Sequence, residues 1–256
     1  MLSNEQWSDL EPLIEACRPH AKVPSPHLRR TVEAILWRQQ NGAKWRALPA
    51  EFGPWWMAAQ TFIRWARLGV WERLLVLVQE RGVRLGMVFL DGTNIRAHQK
   101  AAGASPKGGS AKERDGREAL GRSRGGYGTK ACVMADGAGR AIAFRLAPGQ
   151  AHELPHAVPL LDRLPDVPKW VVAGRGYTSH AFRRHIWDMG VRPAIPPLRH
   201  EAPVACPDWI YNNRNRVERL WARLKEWRAV ATRYEKTATS FLGVLCLAAT
   251  LHWVRR

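Results

Sequence analysis

The chain has 256 residues, 46% of them hydrophobic, which suffices for one large domain or a small domain beside a larger one, each with a proper core. Lys and Arg number 40 against 22 Asp and Glu, a formal charge of +18 that is spread along the chain and calls for a polyanionic partner, nucleic acid before a membrane surface. Cys17, Cys132, Cys206 and Cys246 lie far apart, against a zinc or disulfide framework and in favour of reduced thiols.

No signal peptide is evident, and the longest apolar run, Phe241 to Val254, is shorter than the ~20 residues of a spanning helix and contains His252, so the expected location is the cytoplasm. In chain order, residues 4 to 83 read as helical. Ser3 or Asn4 can cap a first helix carrying Trp7, Leu10, Leu13 and Ile14, and a second runs from about Ser25 to Gln40. After Asn41-Gly42 and the turn at Gly53-Pro54 come a helix with Phe62, Ile63 and Trp65, then Gly69, then a helix from Val70 through Gln79. Short helices between tight turns, with Arg30, Arg38, Arg64 and Arg67 expected to be exposed, suit a helix-turn-helix DNA-binding unit or a plain helical bundle.

Beyond Gly82 the hydrophobic period changes. Met87 to Leu90 is a short apolar run ending at Asp91-Gly92, which fits a buried strand that presents a carboxylate at its end. Residues 99 to 126 are rich in Gly, Ser, Lys and Arg, too poor in large apolar side chains to order themselves without a ligand. The stretch closes on Gly121-Arg-Ser-Arg-Gly-Gly126 and leads to Lys130; its glycines let Arg122, Arg124 and Lys130 approach phosphates. Ala131 to Met134 and Ala141 to Leu146 form a hairpin about Asp136 to Gly139. A helix around Leu154 to Leu164, a strand at Lys169 to Ala173, a helix at Ser179 to Met189 and a strand near Pro193 to Ile195 follow, before a closing apolar helix at Thr237 to Trp253.

The stretch from Tyr211 to Lys225 reads as one α-helix. At about 100° per residue, Arg214, Lys225, Glu218 and Tyr211 fall within roughly 60° of one another, while Val217, Leu220, Trp221, Leu224 and Trp227 fill a separate, core-facing arc. A strand-end Asp and a helical Glu can gather at one edge of a mixed sheet, and oxygen ligands of that kind favour Mg²⁺ or Mn²⁺.

Tyr211, Arg214, Glu218 and Lys225 match the spacing of the Y-R-E-K signature of bacterial insertion-sequence DDE transposases. The chain resembles the insertion-sequence-five family from end to end. The matching segments are Trp45-Arg-Ala-Leu-Pro49, Trp65-Ala-Arg-Leu-Gly-Val-Trp71, Leu90-Asp-Gly-Thr93, Arg96-Ala-His98, Ala119 to Gly126, Pro148-Gly-Gln-Ala-His152 and Ala231-Thr-Arg-Tyr-Glu-Lys-Thr237. The resemblance implies an α/β, ribonuclease-H-like catalytic domain over about 85–256, with a mobile basic loop at about 99–126, behind a helical, helix-turn-helix-type DNA-binding domain over 1–84. It implies Asp91 and Glu218 as catalytic and metal-binding carboxylates working with Mg²⁺ or Mn²⁺. Arg214 and Lys225 would meet DNA phosphate, with Tyr211 beside them. The implied partner is double-stranded DNA, both terminal inverted repeats and target, bound by a homodimer or larger homo-oligomer at the nucleoid. The implied reaction is attack of water on a phosphodiester, then of the freed 3′ hydroxyl on target DNA.

One segment departs from the family pattern. Where the family has a segment like Ala-Asp-Lys-Gly-Tyr-Asp-Ser, this chain reads Ala173-Gly-Arg-Gly-Tyr-Thr-Ser179, so Gly174 holds the place of the second catalytic Asp. Asp136 and Glu153 are the nearest acids in chain order that could stand in for it. The departure leaves two readings: a transposase with impaired cleavage, and a catalytically inactive, domesticated DNA-binding regulator of the same fold.

Overall fold

Ser3 opens the first helix: its hydroxyl accepts from the Gln6 N–H while the Gln6 side chain accepts from the Ser3 N–H, a reciprocal capping box. A computed structural model describes residues 2–19, 27–103 and 110–254. In it α1 (Asn4–Cys17), α2 (Leu28–Asn41), α3 (Trp55–Arg67) and α4 (Val70–Gln79) form the N-terminal helical part. The expected start of the second helix at Ser25 falls outside the described residues. Strand β1 (Val88–Ala97) follows, then α5 (Gln99–Ala102), α6 (Ala111–Arg117), β2 (Gly121–Ser123), β3 (Gly126–Ala135), β4 (Ala141–Pro148) and α7 (Ala157–Leu161). The chain continues with β5 (Trp170–Ala173), α8 (His180–Asp188), β6 (Arg192–Ala194), α9 (Asp208–Tyr211), α10 (Asn215–Lys225), α11 (Arg228–Ala231), β7 (Thr232–Arg233) and α12 (Ala238–Val254). None of the described helices is long and apolar enough to cross a membrane.

Two compact units divide these elements. One comprises Met1–Glu80, Arg96–Glu118 and Leu224–Arg256; the other comprises Arg81–Ile95 and Ala119–Arg223. The second unit holds a mixed sheet flanked by helices, as expected of an α/β domain. Its strand order is β2-β3-β1-β5-β6, with β4 also on β3; β1 and β5 run parallel, as do β5 and β6, while β3 and β4 are antiparallel. Val88, Leu90, Val171 and Ala173 share one buried cluster with Leu160 and Leu161 of α7 and Phe182 and Ile186 of α8. Asp136 closes the β3–β4 turn. Fully buried, it accepts from the backbone N–H groups of Arg84, Ala138 and Arg140 and pairs with the Arg140 guanidinium at 2.7 Å. Its oxygens are engaged in that turn, which gives Asp136 a structural task there.

In the first unit the basic stretch that begins at residue 99 holds α5 and α6, and Ser110 and Glu113 form a second capping box at the start of α6. Residues 104–109 lie outside the described residues. Glu118 accepts from the Ala238 N–H at 2.8 Å, at the first turn of α12, where backbone donors have no partner within the helix. Arg38 is buried, contrary to the exposed position expected of it, because its guanidinium is ion-paired with Glu235. Arg233 is buried too; it donates to the carbonyls of Glu118 and Glu235, which fixes the chain just after β7.

Helix α12 packs on α4 and α3. Gly243 is a point of close approach: a Cβ there would stand 2.7 Å from the Trp71 ring and 3.4 Å from Ala66 Cβ. The Trp71 indole cannot retreat easily, since it is buried and donates to the Phe62 carbonyl at 3.2 Å. Replacing a helical glycine by alanine ordinarily stabilises by about 1 kcal/mol. Here overpacking outweighs propensity, and Gly243→Ala is expected to lower stability by roughly 1–3 kcal/mol, read as a lower melting temperature in thermal denaturation.

Candidate functional site

Register brings the first two positions together. In the parallel pair β1–β5, Leu90 lies opposite Ala173, so the next residues, Asp91 and Gly174, fall side by side. Side chains alternate along a strand, so Asp91 points away from the cluster that buries Leu90. Gly174 has φ −76° and ψ 175°, extended backbone that any residue adopts.

The helix expected from Tyr211 to Lys225 is broken. Tyr211 ends α9, residues 212–214 form a 3₁₀ turn, and α10 begins at Asn215. Asn213 explains the break: its side-chain amide donates to the carbonyls of Trp209 and Ile210, competing with the backbone ladder. The apolar arc is as expected, with Val217, Leu220, Trp221, Leu224 and Trp227 all buried.

Arg214 stands at this break and joins the two carboxylates. Its Nη2 donates to Asp91 Oδ1 at 2.9 Å and its Nη1 to Glu218 Oε1 at 2.7 Å. Its Nε is buried and has no acceptor among the described residues. That nitrogen is 3.4 Å from where a Cβ at Gly174 would stand, so the unanswered donor lies beside position 174. Burial pushes the Asp91 carboxyl above its usual range; Arg214 pulls it back, and the charges of Glu153 and Glu218 raise it further. Burial also pulls the Arg214 guanidinium down, but Asp91, Tyr211 and Glu218 outweigh it and hold the group charged. The groups behind stay neutral, because burial pushes the Cys132 thiol up to about 12 and the Tyr177 phenol well above its usual range.

Glu153 is nearer this cluster than its place in the sequence suggests. Its carboxyl group lies against both Gly92 and Gly176, 2.7 Å and 3.2 Å from where a Cβ would stand on each. It pairs with Lys130 at 3.0 Å, so Lys130, expected at phosphate, is held by an acid. The two glycines are part of the site that residue-type reasoning misses; the signal is their position one and two residues after Asp91 and Gly174.

The remaining basic residues stand elsewhere. Arg122 is exposed on β2 and Arg124 is exposed in the turn to β3. Lys225 is the last residue of α10, about two turns beyond Glu218. The structure therefore gathers Asp91, Gly174, Arg214 and Glu218, with Tyr211 and Glu153 close by.

Comparison with known proteins gives the lineage. Residues 2–75 match a family described as "Putative transposase of IS4/5 family", and residues 171–255 match "Transposase DDE domain". The second segment contains Gly174, Arg214 and Glu218; Asp91 lies between the two. A protein of Brucella ovis named "Putative transposase for insertion sequence element IS6501" is 31% identical over 131 residues, 50% of this chain and 98% of that protein. The similarly named protein of element IS402 from Burkholderia cepacia is 28% identical over 144 residues, 50% of this chain and 65% of that one. Among solved structures, a piggyBac transposase synaptic complex with hairpin DNA aligns over 96% of this chain and 72% of its own, at 10% identity and a TM-score of 0.48. The chain belongs to the bacterial insertion-sequence transposases.

Proposed function

We propose that the chain binds double-stranded DNA at transposon ends and that, as it stands, it cuts that DNA poorly or not at all. The helices of residues 1–84 would supply a helix-turn-helix-type reading head, and residues 85–256 the catalytic-type domain, whose basic stretch at 99–126 settles on DNA. The partners would be terminal inverted repeats and target DNA, held by a homodimer or larger assembly at the nucleoid.

The clamp of Arg214 on Asp91 and Glu218, beside Gly174, carries this reading. DDE transposases work with a divalent metal, and Mg²⁺ or Mn²⁺ would suit carboxylate ligands. The residues present do not fit such a centre. Asp91 and Glu218 both turn an oxygen to a guanidinium, position 174 offers no ligand, and among the described residues no group of three or more His, Cys, Asp or Glu is placed to hold an ion. What remains to the chain is DNA binding, with cleavage dependent on what position 174 carries.

Two substitutions at that position separate the charge from the hydrogen bond. Gly174→Asp is expected to raise Mg²⁺-dependent nicking of a labelled transposon-end duplex by about tenfold or more. Gly174→Asn supplies an acceptor for Arg214 Nε without the charge; it is expected to add about 1–3 kcal/mol of stability in chemical denaturation and no nicking. Equal nicking by the unaltered chain and Gly174→Asp would overturn the reading of Gly174. The domesticated-regulator reading is favoured if neither the unaltered chain nor Gly174→Asp cuts while both bind the duplex.

The raised Asp91 carboxyl has a sign. A group whose proton is held more tightly folded than unfolded takes stability away as pH rises through the carboxylate range. The penalty is fully present above the raised folded value and absent below the ordinary value of 3.8. Asp91→Asn is thus expected to melt higher than the unaltered chain at neutral pH, and the gap should close as the pH falls and Asp91 becomes neutral. A constant gap across pH would show that charge is not the cause. For DNA binding, Lys225→Ala should weaken affinity about uniformly across sequences and reduce the slope of log affinity against log salt by about one; an unchanged slope would remove Lys225 from the phosphate contacts.

A further inference from the structure

The first unit contains a cavity of about 650 Å³, within the roughly 300–1,000 Å³ of small-molecule sites. It is lined by residues from four of the segments that carry the family resemblance: Trp45, Arg67, His98 and Tyr234. Those segments lie far apart in sequence, and the carboxylate cluster uses none of these four residues.

The lining pairs flat rings with cations. Trp45, Trp55 and Tyr234 contribute rings; Arg46, Arg67, Lys100 and Lys236 contribute positive charge. Glu235, the acid of the lining, is engaged by Arg38. That ion pair also fixes the wall, because the Arg38 guanidinium lies 4.8 Å from the Trp45 ring centroid while the Phe62 ring sits 5.9 Å from it. Tyr234 is held against the His98 ring at 5.1 Å, and the backbone beneath is tied by the His98 N–H donating to the Arg233 carbonyl. Rings so held lose little freedom when a ligand stacks on them, and exposed cations beside them suit an anion attached to the stacked group.

We propose that this cavity binds one unstacked nucleotide, its base against Trp45 and Tyr234 and its phosphate against Arg46 and Arg67. The nucleotide's source, an unpaired position at a DNA strand end, rests on the DNA-binding reading; a free nucleotide has the same chemistry and is told apart by the test. Stacking on aromatic rings is sequence-tolerant, since every base has a flat face.

The test uses the full chain and three probes: a blunt duplex, the same duplex with an unpaired 2-aminopurine nucleotide at one 3′ end, and free 2-aminopurine deoxynucleoside monophosphate. The unpaired nucleotide is expected to raise affinity by about tenfold, the effect of one stacked base, and to lose fluorescence on binding. Trp45→Phe should keep most of that gain, while Tyr234→Ala should abolish it and leave blunt-duplex affinity within about threefold; the exposed pair Arg46→Gln with Arg67→Gln should lower blunt-duplex affinity and also abolish the gain measured relative to it. Quenching of the free nucleotide at similar affinity, lost in the same variants, supports the site and assigns it to a free nucleotide. No gain from the unpaired nucleotide together with no binding of the free one overturns the proposal. Failure to bind the blunt duplex with quenching of the free nucleotide retained overturns the DNA-binding reading and leaves the pocket standing.

Discussion

A carboxylate on a buried strand needs a cation, and Asp91 gets its cation from Arg214. That requirement ties the second unit's sheet to the segment around α10. Asp91 follows three buried residues of β1 and keeps only part of its surface in water. Two further carboxylates, Glu153 and Glu218, press on it electrostatically. A single guanidinium at the break between α9 and α10 answers two of the three acids, and Lys130 answers the other. Remove the guanidinium and the largely buried Asp91 carboxylate faces like charges with no cation of its own, which is costly.

Much of this is legible in residue order, for identifiable reasons. Strands buried on both sides announce themselves as continuous apolar runs, and the runs before Asp91 and Gly174 do so. The apolar arc from Val217 to Trp227 is equally plain, because a 3.6-residue period survives a short disruption at its start. What periodicity does not show is the disruption itself. Asn213 breaks the helix through a local side-chain bond, and asparagine is tolerated in helices often enough that composition alone does not decide. Nor does it show partners far away in sequence. Arg38 reads as a surface cation, and its burial depends on Glu235, nearly two hundred residues later. Lys130 reads as a phosphate contact, and it faces Glu153. A charged residue's role is set by what comes to meet it, which a linear pattern does not contain.

The two sites differ in physical character. Around Asp91 the polar groups are crowded and mutually engaged, so that burial, Arg214 and the charges of Glu153 and Glu218 all bear on its carboxyl group. The aromatic cavity of the first unit is roomier and its cations are exposed. Arg38 braces the Trp45 ring from behind, and Arg233 holds the backbone on either side of Tyr234. Its geometry relies on two buried arginines whose charges are met by carbonyls and one carboxylate, a costly way to hold a wall unless the wall is used.

Position 174 is open to substitution. Its backbone lies in the extended region open to every residue, with nothing that demands glycine, and the space above it ends at ordinary contact distance from Arg214. Nothing nearer than that contact stands where a Cβ at 174 would be. A side chain as small as that of aspartate or asparagine therefore calls for no repair of the scaffold at this strand end.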